Sequence, residues 1–104
     1  MSQELYNSIG QNLADEHETT AGQMFGKPCL KTGKKAFAAF FQEEMVFKLG
    51  QEEVNQLKEK YLGSVNWDPS GKKRAMKDWL QVPQEYSEDW SHLANQARLF
   101  VENS

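Results

Sequence analysis

Residues 35–41, Lys-Ala-Phe-Ala-Ala-Phe-Phe, constrain the fold more than any other stretch of this chain. Phe37, Ala39 and Phe41 alternate with Ala36, Ala38 and Phe40, so both sides of an extended segment are apolar. A strand of that kind belongs inside a sheet, covered on at least one side. Turn chemistry brackets it, with Thr32-Gly33-Lys34 before and Gln42-Glu43-Glu44 after. Met24-Phe25-Gly26 leads into Cys29-Leu30 upstream; downstream, Met45, Phe47 and Leu49 alternate with Val46 and Lys48. The simplest arrangement is a three-stranded antiparallel meander.

Helical period flanks the meander. Leu5, Ile9 and Leu13 recur on one face, widened by Tyr6 and His17, with Ser2 a suitable N-cap and Thr19-Thr20-Ala21-Gly22 the end. Gly50 breaks the strand pattern, and Val54, Leu57 and Tyr61 then return to helical spacing, with Gly63 placed to stop it. Val65 and Trp67 alternate with Ser64 and Asn66, and Asp68-Pro69-Ser70-Gly71 is a turn. Met76, Asp78, Leu80 and Val82 alternate with Ala75, Lys77, Trp79 and Gln81 in a further strand that Pro83 closes. Ser87 is the expected N-cap of a last helix whose buried stripe is Trp90, Leu93, Ala94, Ala97, Phe100 and Val101. A chain of 104 residues holds one core, so a single domain over 1–104 is expected. Its fold class is α+β: an antiparallel sheet of about five strands with helices on one face, in the order α-β-β-β-α-β-β-α.

Several functional classes find no support. No run approaches the roughly 18–20 apolar residues of a membrane span. The start lacks the basic and apolar regions of a secretory signal. Cys29 is the sole cysteine and cannot form an internal disulfide, so a cytoplasmic location is expected. Cys29 with His17 or His92 is the only thiol–imidazole combination, and neither histidine has the carboxylate spacing of a triad. Zinc needs more Cys and His than are present, and Gly22, Gly26 and Gly33 lack phosphate-loop spacing. Glu43-Glu44 and Glu52-Glu53 are sequence neighbours that point apart. The expectation is a non-catalytic protein with no cofactor and no metal; a pocket lined by Cys29 and His92 would revive an enzyme.

Charge is informative in its distribution. Five successive segments, 1–23, 24–42, 43–70, 71–77 and 78–104, carry −4, +4, −3, +4 and −4, giving a net −3. The basic segments fall at predicted turns: Lys31, Lys34 and Lys35 flank Thr32-Gly33, and Lys72, Lys73 and Arg74 follow the Asp68–Gly71 turn. Local patches of this kind, more than net charge, attract an anion. Trp79 shares its strand face with Lys77 and Gln81, which points it to the open side of the sheet as a candidate partner surface.

Met24-Phe25-Gly26, the paired stretches Lys31–Phe40 and Met45–Leu49, Trp67-Asp68-Pro69-Ser70-Gly71 and Met76-Lys77-Asp78-Trp79-Leu80-Gln81-Val82-Pro83 follow one another in a characteristic order. In this the chain resembles the TfoX N-terminal domain family and the wider YjbR-like group of small α+β proteins, over about residues 5–101. TfoX is a bacterial regulator of competence genes, so the resemblance implies a regulatory role, and the YjbR-like group implies DNA binding through a double-wing arrangement. It supplies no catalytic residues. Gln23 and Lys27-Pro28 stand where many members carry an arginine before the Met-Phe-Gly triplet and a glycine after it. What depends on the second, C-terminal domain of full-length TfoX lies outside the resemblance.

Two functions are therefore expected of the sequence. One is weak, salt-sensitive nucleic-acid binding through Lys34, Lys35, Lys72, Lys73 and Arg74, dominated by phosphate contacts. The other is a protein partner or a second copy held on the open sheet face, with Trp79 in the contact. No membrane partner is expected.

Overall fold

The computed structural model describes residues 2–104 as an α+β domain. Helix α1 (Ser2–Glu16) precedes four strands, β1 (Thr19–Met24), β2 (Lys27–Thr32), β3 (Lys35–Phe41) and β4 (Glu44–Lys48). Helix α2 (Gln51–Lys60), strands β5 (Val65–Trp67) and β6 (Met76–Val82), a 3₁₀ segment (Gln84–Asp89) and helix α3 (Trp90–Glu102) complete it. The strands form one antiparallel six-stranded sheet in the order β1-β2-β3-β4-β6-β5. As the Lys35–Phe41 pattern requires, β3 is internal. No helix among the described residues is long and apolar enough to cross a membrane.

The strand count corrects the expected order. Thr19–Met24 forms β1, paired with β2 from Thr19↔Thr32 to Met24↔Lys27. It lies at the sheet's edge, where one row of backbone groups is unpaired and Thr20, Ala21 and Gln23 are exposed. Edge residues need not alternate in hydropathy, so this strand carries no period-2 signal. The turn into β2 is Phe25-Gly26, with φ of 55° and 73°, the positive angles that a two-residue type I′ hairpin demands.

The sheet has two apolar faces. Tyr6, Ile9 and Leu13 of α1, Val54 of α2, and Trp90, Leu93, Ala94, Ala97 and Val101 of α3 pack on Leu30, Phe37, Ala38, Phe40, Met45, Phe47, Leu80 and Val82. The other face carries a second cluster without helices: Cys29, Ala39, Val46, Trp67 and Trp79, edged by Met24, Ala36, Phe41 and Met76. A bulge sets which β3 residue goes where. Lys31 pairs with Ala36 and Leu30 with Ala38, so Phe37 is an extra residue and joins Ala38 and Phe40 on the helix side. Regular alternation with Ala39 and Phe41 holds only beyond it.

The last helix also departs from expectation. Ser87 lies within the 3₁₀ segment, and α3 begins at Trp90 with Asp89 before it. Asp89 makes no side-chain cap; its Oδ2 accepts the Tyr61 hydroxyl at 2.8 Å. Ser2 is the first residue of α1, and its hydroxyl accepts a hydrogen bond from the Gln84 amide. Phe100 is partly exposed, while Arg98 is buried and bonds Asn95 and Glu102.

Candidate nucleic-acid interface

The 68–75 connection is ordered by one carboxylate. Asp68 Oδ1 accepts the Gly71 N–H and the Ser70 hydroxyl, each at 3.0 Å, and Oδ2 accepts the Arg74 N–H at 3.1 Å. Partial desolvation opposes ionisation, but the hydrogen bonds from Ser70, Arg74 and Gly71 outweigh it and hold the carboxyl below its ordinary pKa. Ser70 Oγ in turn accepts the Lys72 N–H at 3.2 Å. The basic run thus hangs from a built turn. Lys72, Lys73 and Arg74 are all exposed.

On the other side of this connection, β5 and β6 part company. Asn66 pairs with Leu80 and Trp67 with Met76, so residues 77–79 have no partners across β5. The Asn66 amide spans that gap, lying within hydrogen-bonding reach of the Met76, Lys77 and Trp79 carbonyls, while its oxygen accepts from Lys58. The interruption frees Trp67 to lie across the helix-free face. Its ring meets Trp79 at 5.1 Å, Phe41 at 5.8 Å and Phe25 at 6.0 Å between centroids.

Trp79 therefore stands corrected. It is on the helix-free face, as its polar neighbours indicate, but only 6% of it is exposed because Trp67 packs against it. It offers no partner surface. Cys29 points to the same face and is wholly buried, which pushes its thiol pKa up against the lowering effect of Lys31. His92 is exposed on α3, across the sheet, so Cys29 and His92 line no common pocket. His17 lies beside Glu16.

The two basic segments occupy different grooves. Lys34 and Lys35 line one with Val101, Glu102 and Ser104 at the end of α3. Glu102 there accepts hydrogen bonds from Arg98 and from Thr32, and these hold its carboxyl below its ordinary pKa. Asp68–Gly71 of the second connection line another groove together with Lys27, Phe41, Gln42 and Gln81. Arg74 lines a cavity of about 410 Å³ with Phe25, Pro69, Ser70 and Met76, none of them acidic.

The strand register adds Lys27 and Lys48, which the placement at turns leaves out, and turns Lys31 to the same face. Lys27 and Lys31 share the helix-free face with Cys29, and Lys48, opposite Trp79, shares it with Val46. Lys27 sits over the Phe41 ring at 5.6 Å. Period-2 spacing through Lys27-Pro28-Cys29-Leu30-Lys31 already places these two lysines on one side.

Charge divides between the helical elements and the rest of the fold. The three helices and the 3₁₀ segment carry ten acidic and three basic residues, a net of −7. The strands and connections carry five acidic and nine basic residues, a net of +4. Among the described residues, none of those nine side chains lies within salt-bridge distance of a carboxylate; the pairs formed are His17–Glu16 and Arg98–Glu102. Comparison of the chain with protein-family models, with curated proteins and with solved structures returns no match.

Proposed function

We propose that this protein is a non-catalytic regulatory domain of the TfoX N-terminal type that contacts nucleic acid through the sheet side of the fold. The observation that carries the proposal is the segregation of charge, with net −7 on the helical elements and net +4 on the strands and their connections. Exposed lysines and an arginine unpaired with carboxylates are what a phosphate backbone recognises. Lys72, Lys73 and Arg74 supply the main contacts, held out by the Asp68 turn. Lys34 and Lys35 contribute less, because Glu102 shares their groove. A reducing cytoplasm suits the single buried thiol.

A short DNA duplex titrated between about 0.1 and 0.4 M salt tests it. Neutralising about four phosphates gives a log–log slope of about −3.6. Replacing Lys72, Lys73 and Arg74 together with alanine removes three cations from exposed positions and flattens the slope to about −0.9, with the circular dichroism unchanged. Wild-type affinity and slope in that triple variant would refute the assignment.

A second reading has its own observation. Leu62 is 70% and Val65 51% exposed; Val65 opens the edge strand β5 and Leu62 stands three residues before it. An apolar edge of this kind pairs with a second copy. Sedimentation velocity then shows a concentration-dependent dimer that Val65→Lys abolishes; a monomer at high concentration rules this out.

A further inference from the structure

Phe25 is the residue that stability explains least. It occupies the first central position of a type I′ turn at φ 55°, where asparagine or glycine is the relaxed choice. Its ring is 62% exposed, so it gains little from burial. Its one aromatic contact is edge-on to Trp67, at 73° between ring planes, which leaves a ring face uncovered. Arg74, Met76, Pro69 and Ser70 line the same cavity of about 410 Å³.

Resting on the proposed nucleic-acid function, we infer that this cavity takes an unstacked base of a single-stranded nucleic acid. The base stacks on the Phe25 ring, and Arg74 meets the adjoining phosphate. The occupant follows from chemistry and charge. A flat apolar ring face beside a guanidinium matches a base joined to a phosphate. No acidic residue lines the cavity, the neighbouring Asp68 carboxylate is engaged by the Ser70 hydroxyl and the Gly71 and Arg74 N–H groups, and Lys72 and Lys73 are exposed on the same connection. Within a duplex, bases are stacked on one another and present no face to Phe25. The site therefore selects single strands, whereas the lysines alone accept either form.

Anisotropy of a labelled oligothymidylate of about twelve nucleotides, compared with a duplex of the same length, tests the inference in the full chain. Wild type is expected to bind the single strand more tightly than the duplex. Phe25→Leu, which keeps apolar bulk without a π face, should weaken single-strand binding by roughly ten- to a hundredfold. Its salt slope should stay at the wild-type value, and duplex binding should not move. Phe25→Asn should do the same while relaxing the turn, so loss of binding with an unchanged or raised urea midpoint separates recognition from folding. Phe25→Trp should restore binding. If wild type binds both nucleic acids and Phe25→Leu changes neither affinity, the base site is wrong and the basic face stands. A preference for duplex overturns the inference as well. Absence of binding to either form at low and moderate salt overturns the inference and the proposed function together.

Discussion

Replacing Trp67 with alanine is expected to destabilise the protein by about 3–5 kcal/mol, the usual range for removing a buried aromatic side chain. Trp67 is wholly buried, and it is the centre of the helix-free cluster, touching the Trp79, Phe41 and Phe25 rings. Those aromatic pairs add roughly 0.5–1.5 kcal/mol each beyond area burial. In urea the midpoint should fall by on the order of 2 M, given typical slopes for small domains. Trp67→Phe should cost far less. It keeps most of the ring contacts and removes an indole N–H that is buried without a hydrogen-bond partner, a group whose desolvation costs about 1–3 kcal/mol. A midpoint drop below about 0.5 M for the alanine variant would mean that the helix-free cluster does not belong to the cooperative core.

Gly50→Ala carries the second large effect. Gly50 adopts φ 90° and ψ 151°, a region closed to side-chain-bearing residues at a cost of about 1–3 kcal/mol. A Cβ there would also stand 2.7 Å from Phe100 Cε1. The glycine cannot move aside, because its N–H donates to the Asp78 carbonyl and its own carbonyl accepts the Val54 N–H that starts α2. The expected loss is about 3 kcal/mol from strain and crowding together. Urea unfolding of Gly50→Ala in a Phe100→Ala background separates them: crowding vanishes with the ring, and backbone strain remains. Gly50→Ala at the wild-type midpoint would show that β4 and α2 tolerate a different junction.

How far the sequence foretells this structure depends on where the determining contacts lie. The internal position of β3, the break at Gly50, the turn at Asp68–Gly71 and, apart from Phe100, the apolar stripe of α3 rest on local pattern and are realised. The strand β1 is missed because an edge strand with exposed Thr20, Ala21 and Gln23 needs no alternation. Phe25 contributes to the miss, since a phenylalanine does not announce a type I′ turn. The side of the sheet that Trp79 occupies is legible from Lys77 and Gln81; its burial is not, because the cover comes from Trp67, released by an interruption between β5 and β6. Of the candidate site, the basic residues are legible as two clusters, but that Lys34 and Lys35 line one groove and Arg74 another depends on tertiary placement of the hairpin end and of the 68–75 connection. The division of charge between helices on one hand and strands and connections on the other is visible only once residues are assigned to their elements.

That segregation makes ionic strength a choice of which molecule a partner meets. The domain measures 33 × 31 × 26 Å, and the Debye length is about 30 Å at 0.01 M salt. At that dilution an approaching polyanion senses the whole particle at once, and the whole particle is an anion of net −3. At 0.15 M the screening length is about 8 Å, shorter than any dimension of the fold. The acidic helices are then screened from a partner that approaches the basic connections. Affinity for a nucleic acid should accordingly rise with the first additions of salt, pass through a maximum, and decline along the counterion-release line. Under the proposed function, screening at low salt should uncover an attraction before it weakens it.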